Sequence, residues 1–162
     1  MPRVGTGDLP PAAASDLHFL SGDLSLPEAE ALARDCLLDP VADELPVEAM
    51  DTNRNMKYAT REGSQPSIEI TFLPGVTDSV ADSLLTMAHR LGYQGVRAAA
   101  SGRLYRFLGA VNAAVLERVA SELLANSTVQ RYVVNAQIET PFGFFRYLIL
   151  VANSPGMQST LL

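Results

Sequence analysis

The sequence predicts an α+β fold: one sheet whose helices lie on a single face. Three observations point there. Residues 67–135 alternate between strand-like and helix-like patterning in the order β-α-β-β-α-β. Each helix in that block has only one apolar stripe to bury, so both must cover the same side of the sheet. A strand, glycine, amphipathic helix, Leu-Leu and turn also occur twice, over Asp16–Leu45 and Arg103–Tyr132, at a constant offset of 87 positions. Leu17 falls with Leu104, Gly22 with Gly109, Glu30 with Glu117, Ala33 with Ala120 and Leu37 with Leu124. Only the second copy is preceded by a strand, a helix and another strand. The repeat therefore predicts one complete unit plus a half unit.

The elements follow in order. Residues 1–15 are rich in proline, alanine and glycine and read as a disordered N-terminal segment. Residues 16–47 form the partial repeat. Leu17–Leu20 is a short strand, and Ser25 with Glu28 makes an S-x-x-E capping box at the start of a helix running to Leu37. Asp39-Pro40 stops that helix, and Val41–Val47 is a polar edge strand. Residues 48–66 are irregular and polar, as a linker would be. Ile68, Ile70 and Phe72 alternate with Glu69 and Thr71, the period of a half-buried strand. Pro74-Gly75 turns the chain, and Thr77 or Asp78 can cap the next helix. Val80, Leu84, Leu85, Ala88 and Leu91 form that helix's stripe, with Gly92 as its C-terminal stop. Tyr93–Ala100 and Leu104–Leu108 read as a hairpin about Ser101-Gly102. Val115, Leu116, Val119, Ala120, Leu123 and Leu124 define the second helix, and Val129–Val134 the closing strand. Residues 136–162 are a tail with one apolar run, Phe144–Ala152, too short to span a membrane as a helix and read as a strand. The β-α-β-β-α-β order is that of a ferredoxin-like split sandwich, a fold that many functions share.

Composition excludes several classes. Residues 1–50 carry ten acidic and two basic side chains, the remainder eight and ten. No basic groove for phosphates is expected, so nucleic acid is not an expected partner, and neither is a membrane. The single cysteine, Cys36, permits no internal disulfide and suits a reducing compartment; the absence of a hydrophobic run in residues 1–15 argues against a secretory signal. A cytoplasmic location is the expectation.

Within residues 67–135 the resemblance goes beyond fold. Ile68-Glu69-Ile70-Thr71-Phe72-Leu73-Pro74-Gly75-Val76-Thr77-Asp78 resembles the opening strand and Lys-Pro-Gly-Val-x-Asp turn of the PurS family, the small subunit of phosphoribosylformylglycinamidine synthase. Leu91-Gly92-Tyr93-Gln94-Gly95-Val96 and Ser101-Gly102-Arg103 are similar to that family's Leu-Gly-Tyr-x-Gly-Val and Val-Gly-Lys segments. Leu123-Leu124-Ala125-Asn126 is similar to its Leu-Leu-Ala-Asn-Pro-Val close, with Tyr132 near the end. Pro74, Gly75, Asp78, Gly92, Gly95, Gly102, Leu124 and Asn126 are the motif positions the resemblance marks as structural. Leu73 stands in place of the family's lysine, Ser127-Thr128 in place of Pro-Val, and the tail from Gln137 has no counterpart. Leu37-Leu38-Asp39-Pro40-Val41 resembles the same close, so the chain looks like the tandem PurS-like region of a fused large synthase, beginning halfway through its first unit.

The resemblance implies a non-catalytic role in de novo purine biosynthesis: bridging a large subunit that uses ATP to a glutaminase subunit that supplies ammonia, as a homo-oligomer, with no cofactor bound by this chain. The residues offer no catalytic constellation of their own. His18 and His89 are isolated in sequence, Cys36 lies on an apolar stripe, and neither a zinc spacing nor a Walker phosphate loop is present. Asn126-Ser127-Thr128 matches a glycosylation sequon but reads as a helix-ending turn. Arg97, Arg103, Tyr105, Arg106 and Phe107 cluster about the expected hairpin and are the candidates for a partner interface on an uncovered sheet face. The alternative function, from another class, is a small-molecule-sensing module.

Overall fold

The computed structural model describes residues 9–37, 47–51, 65–136 and 147–152. Their elements are β1 (Ala12–Gly22), α1 (Leu26–Leu37), β2 (Val47–Asp51), β3 (Ser67–Phe72), α2 (Ser79–Arg90), β4 (Val96–Phe107), α3 (Ala113–Val119), β5 (Gln130–Val134) and β6 (Tyr147–Ala152). The strands form one antiparallel six-stranded sheet in the order β2-β6-β1-β4-β3-β5. This is the α+β, ferredoxin-like architecture that the sequence predicts.

Local chemistry sets the helix ends. Ser25 Oγ accepts from Glu28 N at 3.3 Å while Glu28 Oε1 accepts from Ser25 N at 3.2 Å, the reciprocal capping box. Asp78 caps α2 by accepting from Ala81 N, and Asn112 caps α3 by accepting from Ala114 N. After Arg90 the chain turns through Gly92 at φ +98, a conformation open to glycine at little cost. Beyond α3 the helix widens into a π turn over Ala120–Leu124, where Ala125 N donates to Ala120 O.

All three helices cover one face of the sheet. Leu20, Val96, Tyr147 and Ile149 on that face pack with Ala29, Leu32 and Ala33 of α1 and Leu84 and Ala88 of α2. Farther along, Ala12, Ile68, Ile70 and Phe107 pack with Leu116, Val119 and Ala120 from α3 and its π turn. The opposite face is also withdrawn from solvent at Leu17, Phe19, Leu104 and Leu148. Each large apolar side chain so buried contributes about 1.5–3 kcal/mol.

The structure corrects several expectations. The hairpin about Ser101-Gly102 does not form; β4 is a single twelve-residue strand. The reason lies in its partners. β1 pairs with β4 from Ala12↔Phe107 to Leu20↔Ala99 without interruption, which keeps Ser101 and Gly102 extended. Gly102 serves close approach instead of a turn, because a Cβ there would sit 2.6 Å from Ile70 O. β1 begins at Ala12, inside the segment expected to be disordered, and runs eleven residues where four were expected. β2 occupies Val47–Asp51, displaced into the expected linker; the rest of Val41–Val47 lies outside the described residues. The apolar stripe of α2 is rotated: Ala81, Leu84 and Ala88 are buried, whereas Val80 and Leu91 are about half exposed. β6 lies between β1 and β2, pairing Phe19 with Leu148 on one side and Ala49 with Ile149 on the other.

These pairings create an internal pseudo-two-fold. The sheet reads β2-β6-β1 on one side and β4-β3-β5 on the other. At its centre Asp16 pairs with Arg103, and the two are separated by 87 positions, the repeat offset itself. Repeat-equivalent residues that face one another mark the axis. Ser15↔Leu104 and Leu17↔Gly102 are then symmetry mates, as are Ala12↔Phe107 and Leu20↔Ala99. On this symmetry β6, from the end of the chain, takes the place on β1 that β3 takes on β4.

Candidate functional site

The axis emerges on the helix-covered face as a half-open cleft of about 410 Å³ between the N-terminal end of α2, the π turn and the sheet. Strand alternation brings its polar groups together. β1 supplies Asp16 and His18; β4 supplies Ser101, Arg103 and Tyr105. His18 lies opposite Ser101 one step along from the Asp16↔Arg103 pair. Ile70, Phe72, Val80 and Leu124 form apolar walls.

Arg103 Nε donates to Asp16 Oδ1 at 3.4 Å and Arg103 Nη1 to Tyr105 Oη at 3.3 Å. The Tyr105 hydrogen bond is the first cause that raises the Arg103 pKa, with Asp16 adding to it against partial loss of solvation. Asp16 and Arg103 each retain over two-fifths of their side-chain exposure, so their attraction is screened and worth at most about 1 kcal/mol. Behind them, Asp78 does more than cap α2. Its Oδ2 accepts from Ser101 N at 2.7 Å and its Oδ1 from Ser101 Oγ at 2.8 Å. The carboxylate thus takes a ladder position on β4 just past the end of the β3 pairing at Thr71↔Gly102.

His18 is 5% exposed, and its Nδ1 has no hydrogen-bond partner. Burial lowers its pKa below 6.5 despite the opposing fields of Asp16 and Asp78, so the imidazole is neutral at pH 7. An unpartnered buried polar atom costs about 1–3 kcal/mol until something hydrogen-bonds to it.

The interface candidates do not form one surface. Arg103 and Tyr105 line the cleft. Arg97 is exposed near the start of β4, and Arg106 is partly buried on the opposite face by strand alternation. Phe107 was expected on an uncovered face; it is fully buried among Ala12, Ile68 and Leu116, because the helices cover the face it occupies. Of the motif positions, Gly75 sits in the turn at φ +83, Gly95 abuts the Asp23 carbonyl, and Leu124 lines the cleft. Asn126 closes the turn after the π helix, its Oδ1 accepting from Thr128 N and its carbonyl from Gln130 N.

Sequence reasoning missed His18 as a cleft residue. The available signal was its repeat-equivalence to Tyr105, beside the equivalence of Asp16 to Arg103. His89 is a surface residue whose Nε2 lies 2.7 Å from the Val96 carbonyl oxygen, tying the end of α2 to β4. Cys36 is half-buried against the α1 cluster, with its thiol pKa raised by burial and by Asp35. Among the described residues no three His, Cys, Asp or Glu side chains are grouped to hold a metal ion, and no helix is long and apolar enough to cross a membrane.

Comparison with curated proteins and with solved structures finds no match. A family model described as PurS: Phosphoribosylformylglycinamidine (FGAM) synthase matches residues 65–137, the span holding β3, α2, β4, α3 and β5. Over that span this chain is similar to the PurS family of FGAM synthase.

Proposed function

We propose that this chain is a non-catalytic assembly component of FGAM synthase, bridging a large ATP-using subunit and a glutaminase subunit so that ammonia passes between them. The observation that carries this reading is the family match over a structurally complete β-α-β-α-β unit. The internal pseudo-two-fold adds to it. A second, permuted half built from β1, α1, β2 and β6 gives one chain two related surfaces, which suits a part that must meet two partners. A bridge of this kind keeps ammonia from bulk water and makes its transfer effectively intramolecular. Neither cofactor nor nucleotide is assigned to this chain, and the cytoplasm is the compartment where this synthesis would run.

Co-purification tests it. The chain, mixed with the large and glutaminase components of the same synthase, is expected to elute with both. Elution with neither contradicts the proposal.

A second reading, a small-molecule-sensing module, gains one specific observation: the polar cleft at the axis.

A further inference from the structure

We infer that the cleft at the pseudo-two-fold is a binding site for a free α-amino acid with an apolar side chain. This goes beyond the assembly role and stands or falls independently of it.

The ligand class follows from the lining. Asp16 and Arg103 present opposite charges side by side, 3.4 Å apart and both open to solvent. A simple anion entering the cleft meets the Asp16 carboxylate, and a simple cation meets the Arg103 guanidinium; each pays for the wrong neighbour. A zwitterion satisfies both, with its carboxylate on Arg103 and its ammonium on Asp16, through charge-assisted hydrogen bonds.

Tyr105 is placed to hold the arginine, since its hydroxyl already accepts from Arg103 Nη1. His18 supplies the second observation. His18 lines the cleft at 5% exposure, and its unpartnered Nδ1 lies buried behind that lining.

The walls select the side chain. Ile70, Phe72, Val80 and Leu124 are apolar and converge on the same space. A cavity of about 410 Å³ lies within the ordinary range for small-molecule sites. Convergent polar groups, an apolar wall and enclosure on one side are the features that separate a ligand site from a surface dent.

The test uses the full chain and three probes: L-leucine, its decarboxylated counterpart 3-methylbutylamine, and its deaminated counterpart 4-methylpentanoate. Binding is read by calorimetry and by the shift in melting temperature. L-leucine is expected to bind and to raise the melting temperature, while the amine and the acid, each lacking one charge, do neither. Asp16→Asn is expected to weaken L-leucine binding about ten-fold or more. Val80→Trp, at an exposed rim position, is expected to abolish it by filling the cleft without touching the core. Should Asp16→Asn fail to fold, Val80→Trp carries the test. The inference is overturned if L-leucine, L-valine and L-methionine all fail to bind at about 10 mM. It is equally overturned if 4-methylpentanoate binds as well as L-leucine, or if Val80→Trp leaves binding intact. None of these outcomes depends on whether the chain joins the synthase.

Discussion

Asp78 ties a helix to a strand through one carboxylate. It caps α2 through Ala81 N and fixes β4 through both the amide and the hydroxyl of Ser101. Asp78→Ala removes the cap and strands a buried donor, a combined cost of about 2–4 kcal/mol readable in urea unfolding. Asp78→Asn is expected to recover only part of it, because an amide has one acceptor oxygen where the carboxylate uses two. Gly102 carries a different constraint. Gly102→Ala places a methyl against the Ile70 carbonyl at 2.6 Å, and the strands must separate to admit it, costing about 1–3 kcal/mol. His18 gives the fold a pH dependence of definite sign. Its folded pKa lies below the 6.5 of the unfolded chain, so on acidification the unfolded state takes the proton first. The stability involved is present above pH 6.5 and is lost as the pH falls through the folded value, with a slope of at most about 1.4 kcal/mol per pH unit. His18→Leu is expected to flatten that slope, measured as the unfolding midpoint at neutral and mildly acid pH. A slope unchanged by the substitution contradicts a buried neutral imidazole.

At the scale of elements, local signals were legible where local chemistry decides. The Ser25–Glu28 box, the Asp78 cap and the Gly92 stop lie where the residues place them, since each is satisfied within a few positions of itself. The alternating run 68–72 is likewise a strand. What failed was decided at long range. Ser101-Gly102 has turn chemistry, yet β1 holds it straight from more than eighty residues away. The stripe on α2 is rotated: Leu84 and Ala88 pack with α1 and the sheet, Ala81 is buried with them on the inner side, and Val80 lines the cleft. The cleft was illegible for the same reason: Asp16 and His18 come from β1 and Arg103 and Tyr105 from β4, strands whose pairing no local pattern encodes. The tail makes the point most sharply. β6 is an interior strand, flanked by β1 and β2, with Tyr147 donating its hydroxyl to the buried Leu24 carbonyl. Ile149→Ala is therefore expected to cost about 2–5 kcal/mol, as much as Leu116→Ala inside the family span. A cost below about 1 kcal/mol in denaturant unfolding would mean that the tail is dispensable to the sheet.

Across the whole molecule, the pseudo-two-fold explains why one chain departs from a simple repeat. A symmetric pair of identical units would set the same residue against itself on the axis. Here the two copies have diverged to Asp16 and Arg103, so the centre of the sheet is attractive between unlike halves and repulsive between like ones. Asp16→Arg sets two guanidinium groups opposite each other and is expected to cost up to about 1 kcal/mol, with the double swap Asp16→Arg, Arg103→Asp restoring most of it in a double-mutant cycle. Independent effects of the two substitutions would contradict a direct pairing. The same asymmetry favours pairing of β1 with β4 over pairing of β1 with a second β1, and among the described residues β2 and β5 are the two edges of the sheet.

The assembly role is tested most directly by amidine formation in the reconstituted synthase, driven either by glutamine or by free ammonia, with and without this chain. The bridging role predicts that glutamine-driven synthesis requires the chain while ammonia-driven synthesis does not. Equal rates with and without the chain under both nitrogen sources would contradict it.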